Sequence, residues 1–508
     1  MKRPWYDARV TPQYHLNGVR TDICQFDLRD LTTPDSWCLR VLQTPSRTIG
    51  HKHSRACYSG SGPYFPAPLT NWRLKLRRPV ARYDDWMDVP VDLKQPSLDT
   101  ALATRAPTLP LQRSALFFAL AALVFGTAWL AAGSTRISFL FLVGGALGAS
   151  LLATGFGFTS GYRRAILTRD VAHVQAQLLM LGLATLLFAP VLAGVIGPDR
   201  PIVGALAPAG LPVLLGAFLF GIGMQLGDGC ASGTLYGAGG GSVRNLATLA
   251  AFCAGAFGAT FHLGWWSSLP TLGTVSLASS LGWSGAVAVQ LVVFVALATI
   301  VTHWGRAGKR GAEHQLPEHT ATTIEQPKGP IRGWISRHRV LAFGAVSLAV
   351  LNLVTLLVAG HPWTITWAFG LWGAKTAAAA GWNPAASAFW SGGFPATALA
   401  RPVAADVTSV MNVGIMLGAL GVASWRGRFR PGLPIEGRQL VASVVAGLML
   451  GYGARIAFGC NIGAFFSGIA SGSLHGWLWI AAALPGTWLG IQLRPLFGLV
   501  NETEVAGP

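Results

Sequence analysis

Long apolar stretches, each about the length of a membrane helix, follow one another along most of the chain. The first two cover 114–133 and 137–158, and each ends at glycine, proline or a charged residue. Because about 20 apolar residues cross the hydrocarbon core of a bilayer, each stretch predicts a membrane helix. Further stretches lie at 171–195, 211–227, 244–264, 283–303, 340–360, 363–380, 407–424, 440–458 and 474–493. The pattern predicts an all-α polytopic membrane protein with about 9–11 spans.

Polar segments divide the chain into five parts. We predict a polar N-terminal extension over 1–112, a membrane repeat A over 113–303, a basic cytoplasmic linker over 304–339, a membrane repeat B over 340–498 and a C-terminal tail over 499–508. The extension has no sustained hydrophobic period, so we expect it to be disordered, or to be translated from upstream of the true start. Its polar beginning predicts no cleavable secretory signal.

Composition and charge agree with a membrane protein and exclude a nucleic-acid partner. Only 11% of the residues are charged, whereas soluble domains carry about 25%. The net charge of +18 is concentrated in the extension and in short clusters between the apolar stretches, as the positive-inside bias produces. With the clusters at 163–169, 306–339 and 426–438 on the cytoplasmic side, both termini are predicted to be cytoplasmic. Segment 363–405 then has to be a re-entrant excursion on the outer side.

The two membrane halves contain the same sequence pattern. FGIGMQLGDGCASGTLYGAGGGS (220–242, the first glycine-cysteine segment) aligns with LGYGARIAFGCNIGAFFSGIASGS (450–473, the second glycine-cysteine segment) at an offset of 230, with one inserted residue near the end. A second match sets 169–182 on 405–418. The charge-derived topology gives the two copies opposite orientations. Inverted repeats with broken or re-entrant helices are typical of transporters, with the binding site near the bilayer midplane.

Each glycine-cysteine segment interrupts a short apolar stretch, which predicts a broken helix that lines a substrate cavity. Unpaired backbone amides suit an anion, glycine lets the backbone approach closely, and a thiol adds a weak donor and a polarizable contact. The predicted substrate-binding residues are Cys230, Cys460, Gly229, Gly459, Gly233 and Gly463. The competing interpretation is close helix packing, which also uses small residues and buried cysteine.

Three ionisable residues extend this candidate site. Asp228 and Arg455 lie within the two segments, where they either pair with each other across the repeats, form another structural ion pair, or, for Arg455, attract the anion. Lys375 either supplies positive potential to an outer vestibule or snorkels to the interface. Two further pairs are expected to be structural: Asp170 and Asp406 as helix caps, and His173 and His475 as packing residues.

No catalytic residues, metal site or cofactor are predicted. The six cysteines have no CxxC spacing, which argues against structural zinc, and no GxxxxGK[ST] motif is present for nucleotide binding.

The two glycine-cysteine segments, together with DVTSVMNVGIMLGA (406–419), resemble the YeeE/YedE sulfur-transport family of bacterial inner-membrane proteins. The resemblance extends through roughly 114–500 and implies an hourglass of inverted repeats that takes up thiosulfate or a related sulfur species, with Cys230 and Cys460 contacting the substrate in succession. Many members carry a third cysteine in an earlier motif, and Gly157 stands at that position here.

The sequence therefore predicts a multi-pass protein of the bacterial inner membrane that imports a small sulfur-containing anion, with thiosulfate as the leading candidate. Two alternatives stay open. One is a membrane sulfur-transfer enzyme in which a cysteine is the nucleophile. The other is a non-transporting membrane subunit whose loop 304–339 docks a cytoplasmic sulfur-transfer protein.

Overall fold

The computed structural model describes residues 111–313, 330–432 and 435–501, together with four short strands in the N-terminal region. Backbone contacts divide the chain into two units, 1–104 and 105–508. In the first unit, β1 (His15–Leu16) pairs with β2 (Val19–Arg20), and β3 (Ser36–Val41) pairs with β4 (Ser54–Ser59), both antiparallel. Apart from residues 111 and 112, the rest of the predicted extension lies outside the described residues, as do residues 314–329 of the predicted linker and 502–508 of the tail.

The second unit consists mainly of helices. Their bounds are α1 Arg113–Gly133, α2 Thr135–Thr154, α3 Phe158–Thr168, α4 Ala172–Leu192, α5 Leu211–Leu226, α6 Ala231–Gly239, α7 Val243–Ala259, α8 Leu263–Ser267, α9 Leu277–Glu313, α10 Pro330–Arg337, α11 Arg339–Ala359, α12 Thr366–Ala379, α13 Gly393–Ala400, α14 Val407–Trp425, α15 Gly437–Ile456, α16 Ser467–Ala470 and α17 Leu474–Leu493. A π-helical turn, Asn461–Phe466, precedes α16. One strand pair, β5 (Pro208–Gly210) with β6 (Thr271–Thr274), joins two connections and was not indicated by the hydrophobic pattern.

Within the described part of the chain, nine helical segments are long and apolar enough to cross a membrane, as the hydrophobic pattern predicts. The protein is therefore a multi-pass membrane protein. The predicted stretch 363–380 forms α12, whose 14 residues reach about 21 Å at 1.5 Å per residue, short of the roughly 30 Å hydrocarbon core. Helix α17 has 20 residues and is not among the nine.

Corresponding helices of the two halves pack on each other in antiparallel orientation. In the pair α2 and α11, Arg136 near the start of α2 donates to the carbonyl of Val358 near the end of α11, and Ser150 lies 2.5 Å from Ser347 further along. In the pair α5 and α15, glycines allow the backbones to touch. A Cβ on Gly216 would lie 2.7 Å from the Gly453 carbonyl oxygen, and a Cβ on Gly223 would lie 3.1 Å from that of Ala446. Small residues permit such contacts between membrane helices.

Two further pairs of large helix contacts correspond between the halves. Helix α2 packs on α14 as α11 packs on α4, and α5 packs on α17 as α15 packs on α7. The matched segments contain or adjoin α4 and α14, α5 and α15, and α7 and α17, whereas α2 and α11 correspond only by their order in each half. This packing is consistent with the two sequence matches.

Arginines cap the carboxyl ends of α2 and α11. Arg426 donates to the carbonyls of Leu152 and Ala153 at the end of α2. Arg136 and Arg200 donate to the carbonyls at 357–359 that end α11. Cations are favourable at a helix C-terminus, where the last carbonyls lack partners. Arg136 lies in the first turn of α2 and Arg200 in the connection after α4, and both charges stabilise the end of α11.

Candidate functional site

The two glycine-cysteine segments have the same backbone geometry before their cysteines. Asp228 and Phe458 both adopt the left-handed conformation, with φ of 57° and 60°, although neither is glycine. The helix-ending hydrogen bonds also recur at the 230-residue offset: Gly227 N to Gly223 O and Ala457 N to Gly453 O, then Gly229 N to Met224 O and Gly459 N to Ala454 O. The two segments, which match in sequence, therefore also match in backbone conformation.

Each cysteine stands directly before a new helix. Cys230 is the N-terminal cap residue of α6, and Cys460 is that of the π-helical turn. The Cys230 Sγ lies 3.2 Å from the Ser232 Oγ, and the Ile462 N–H donates to the Cys460 Sγ at 3.4 Å. The first amides of a helix lack intrahelical acceptors and carry its positive dipole end, so both thiols stand where an anion is favoured. Both helices are broken as predicted.

The inserted residue of the second segment is absorbed as the π-helical turn. The amides of both Ala464 and Phe465 donate to the Cys460 carbonyl, at 2.9 and 3.3 Å. One added residue in a helix commonly produces such a turn, often at a functional site. Beyond it the correspondence resumes at an offset of 231: Gly241 and Gly472 have positive φ, and Ser242 and Ser473 are the cap residues of α7 and α17.

Both thiols are buried, with relative exposures of 3% for Cys230 and 1% for Cys460. Helix α6, which begins after Cys230, contacts the π-helical turn that begins after Cys460. A cavity of about 20 Å³ is lined by Cys230, Gly229, Gly233, Asp228 and by the 156–160 turn. This volume holds about one water molecule.

The predicted glycines lie where the backbone passes the thiols or a facing loop. A Cβ on Gly233 would lie 3.8 Å from the Cys230 Sγ, and one on Gly463 would lie 3.2 Å from the Thr364 hydroxyl. Gly459 has φ +148°, and its Cβ would lie 2.7 Å from the Ala464 nitrogen. Only glycine fits this position without strain. Gly157 lines the same cavity as Cys230, and a Cβ there would lie 3.7 Å from the Tyr236 hydroxyl oxygen.

Asp228 forms an ion-pair cluster at one end of the cavity. Its Oδ1 accepts from Arg163 at 2.8 Å and from Arg494 at 3.3 Å. Arg494 also donates to the carbonyl of Gln225, and Arg163 to its side chain. Both arginine side chains are nearly buried, whereas that of Asp228 is 43% exposed. The pairing of Asp228 with Arg455, one of the possibilities drawn from the sequence, is not formed because these arginines occupy the carboxylate.

Arg455 lies among aromatic rings. Its guanidinium carbon is 4.2 Å from the centroid of Phe389 and 5.5 Å from that of Trp367, which are cation–π distances. Phe389 also lines a second cavity, of about 610 Å³, together with Phe458, Phe261 and Trp266. The backbone just before Cys460 therefore lies beside a large aromatic cavity, whereas the backbone just before Cys230 lies beside two arginines.

Lys375 has a structural partner that was not predicted. Its Nζ donates to the carbonyls of Leu399 and Arg401, both at 2.6 Å, at the carboxyl end of α13. The ammonium group thus caps a helix. Lys375 therefore joins α12 to the end of α13, and within the described residues no hydrogen bond or ion pair joins it to either glycine-cysteine segment.

The residues expected to be structural have matching contacts. Asp406 caps α14 by accepting from the Ser409 amide at 2.7 Å, and Asp170 accepts from the Ala172 amide at the start of α4. His475 is buried and lies 2.6 Å from the Ser473 hydroxyl. These contacts confirm the capping interpretation for Asp406 and the packing interpretation for His475, whereas Asp170 lies one residue before the cap residue Val171 and bonds the first amide of α4.

Several residues of the site had no signal in the sequence. Arg163 and Arg494 lie 65 and 266 positions from Asp228, so their convergence depends on tertiary packing. Tyr162 and Asn461 are buried, with exposures of 4% and 0%, and the hydroxyl of the former and the amide of the latter lack hydrogen-bond partners among the described residues. Asn461 directly follows Cys460, and this adjacency was the one available hint.

Comparison with known proteins assigns the fold to a family. Residues 153–489, about two thirds of the chain, match the family model described as sulphur transport. A protein of Salmonella typhimurium named "Probable transporter YedE" is 28% identical over 180 residues, which are 34% of this chain and 44% of that protein. Its Escherichia coli namesake is 28% identical over 183 residues, 35% and 43% of the two chains.

A shorter match links the chain to a relative with a named substrate. The "Thiosulfate transporter TsuA" of Spirochaeta thermophila is 37% identical over 76 residues, 15% of this chain and 23% of that protein. The chain thus spans less than half the length of the curated relatives it matches. The matched family confirms the resemblance drawn from the glycine-cysteine segments. This membrane protein belongs to the sulphur transport family.

Proposed function

We propose that this protein imports a small sulfur-containing anion, thiosulfate in the first place, across the bacterial inner membrane. In this proposal the anion passes Cys460 and then Cys230 at the meeting point of two inverted repeats. The observation that carries the proposal is the recurrence of a buried thiol as the cap residue of a new helix at equivalent positions of both halves.

The chemistry of this centre suits a soft anion that has to leave again. Helix N-terminal amides attract negative charge without a fixed cation, and thiols offer weak donors and polarizable sulfur. The charged groups nearest to Cys230 belong to the Asp228 cluster at the cavity end. Binding at the centre is therefore expected to be specific for sulfur chemistry yet weak enough for release.

Antiparallel packing of equivalent helices supports inversion of the repeats. Helices α2 and α11 meet in opposite directions, as do α5 and α15. Two repeats related by an axis along the membrane normal would instead have equivalent helices running the same way across the bilayer. An axis in the membrane plane produces opposite directions, and it places the substrate site near the midplane.

The two cavity ends suggest a direction. The arginines of the Asp228 cluster and Arg426 are assigned to the cytoplasmic side by the positive-inside bias. The aromatic cavity beside Phe458 then opens outward, so an entering anion meets Cys460 before Cys230. The same assignment leaves both termini in the cytoplasm.

The substrate proposal rests on the chemistry of the thiols and on the relative named a thiosulfate transporter. It is tested by uptake of radiolabelled thiosulfate into proteoliposomes that contain the purified full chain. We expect saturable uptake that unlabelled thiosulfate competes away and that equimolar sulfate, which lacks the terminal sulfur, leaves nearly unchanged. Uptake no greater than in protein-free liposomes would overturn the proposal.

A further inference from the structure

Two unpartnered polar side chains lie beside the thiols, one from each half of the protein. Tyr162 belongs to α3, whose first turn lines the same cavity as Cys230. Asn461 follows Cys460 in the π-helical turn. Both are more than nine-tenths buried. Each half thus supplies one thiol and one hydrogen-bonding side chain to the same region.

These side chains lie close enough to interact, but they form no well-aligned hydrogen bond with each other. The hydroxyl oxygen, the amide nitrogen and the amide oxygen all lack partners within the described part of the chain. Buried polar groups in native proteins nearly always have partners, and an unsatisfied one is destabilising. A group that visits the site and accepts hydrogen bonds would resolve this cost.

Some buried polar residues near Cys460 have hydrogen-bond partners, whereas the hydroxyls of Thr159 and Thr234 near Cys230 lack partners among the described residues, as the pair does. Asn352 accepts from the Trp363 amide and donates to Ser467, and Ser467 donates to the Trp363 carbonyl. These groups tie α11 to the second glycine-cysteine segment and leave no free donor for a ligand. Tyr162 and Asn461 differ because their donors stay available next to the thiols.

We propose that Tyr162 and Asn461 form an oxygen-recognition subsite that donates hydrogen bonds to the S–O oxygens of the transported anion while the thiols contact its terminal sulfur. This inference rests on the proposed function and extends it to the class of substrate: an oxyanion that carries both a soft sulfur and hydrogen-bond-accepting oxygens. A phenol hydroxyl and a primary amide are both donors, which suits several oxygens on one sulfur centre.

The test uses two variants that remove the donors without enlarging the site, Tyr162→Phe and Asn461→Leu, in the full chain in proteoliposomes. We expect KM for thiosulfate to rise about tenfold in each, as expected when one hydrogen bond to a charged ligand is lost. The melting temperature without thiosulfate is expected to stay equal or rise, because an unsatisfied buried group has been removed. The thermal stabilisation by added thiosulfate should shrink in both variants.

A matched control is Thr487→Val, which removes another buried hydroxyl that lacks a partner among the described residues, in α17 beside Gly221. It is expected to leave KM unchanged. If Tyr162→Phe and Asn461→Leu lower the melting temperature and leave KM unchanged, the pair is merely structural and the inference is wrong. Wild-type uptake with unchanged KM in both variants overturns this inference alone, whereas absent wild-type uptake overturns the proposed function as well.

Discussion

The first and second glycine-cysteine segments follow one backbone course in two different surroundings. Both contain a left-handed residue two positions before the cysteine, and both cysteines begin a new helix. The left-handed residue is Asp228 in the first segment, bound to two arginines, and Phe458 in the second, beside an aromatic cavity. The two segments therefore share one backbone course and differ in the side chains around it.

The comparison also shows where a single residue matters. The second segment is longer by one residue, and the chain accommodates it in the π-helical turn while the flanking glycine and serine keep their roles. An insertion that displaced Cys460 from the helix start would have removed the amides behind the thiol. The extra residue instead lies beyond the cysteine, where it leaves that relation intact.

The largest difference between the segments is expected at the glycine before each cysteine. Gly459 has φ +148° and has a backbone nitrogen 2.7 Å from its would-be Cβ, whereas the nearest atom at Gly229 is 3.1 Å away. Gly459→Ala should therefore lower the free energy of unfolding by about 3 kcal/mol or more, and Gly229→Ala by about 1 kcal/mol. Thermal unfolding in detergent measures both. Equal effects would mean that the segments are not strained differently.

A smaller effect is expected at the left-handed residues. Asp228→Ala leaves Arg163 and Arg494 nearly buried without their shared carboxylate and should cost roughly 2 kcal/mol, less than a fully buried pair because Asp228 is part-exposed. Phe458→Ala removes a half-exposed ring and should cost under about 1 kcal/mol. The measurement is denaturant or thermal unfolding of both variants. A greater loss in Phe458→Ala would contradict the assignment of the ion cluster as the structural element.

The smallest effect is expected at the arginine caps. Arg426 is the arginine that caps α2 in the described chain, whereas α11 receives both Arg136 and Arg200. Arg426→Met should lower stability by about 1 kcal/mol, and Arg136→Met by about half as much because Arg200 remains. Melting temperatures of the two single variants test this order. A greater loss in Arg136→Met would show that Arg200 does not compensate for Arg136 at the end of α11.

Periodicity and repetition predicted much of this arrangement because they are local properties of the sequence. The apolar stretches located the spans, and the paired motifs located both thiols, their helix breaks and the capping role of Asp406. These local patterns did not predict the contacts between distant segments. Asp228 binds Arg163 and Arg494 and not Arg455, and Arg455 instead lies over Phe389 from the connection after α12. The charges in the sequence do not show which arginine pairs with Asp228, because the packing of distant helices determines which of them lies near it.

The central claim is that both thiols act on one path, and the initial rate of thiosulfate uptake into proteoliposomes tests it most directly. Cys230→Ala, Cys460→Ala and the double variant are compared with Cys253→Ala, a matched control whose cysteine is half-buried and has no counterpart in the repeat. We predict a loss of about tenfold or more in each single variant, little further loss in the double variant, and an unchanged rate in the control. Wild-type rates in both single variants, with all proteins folded, would contradict the account.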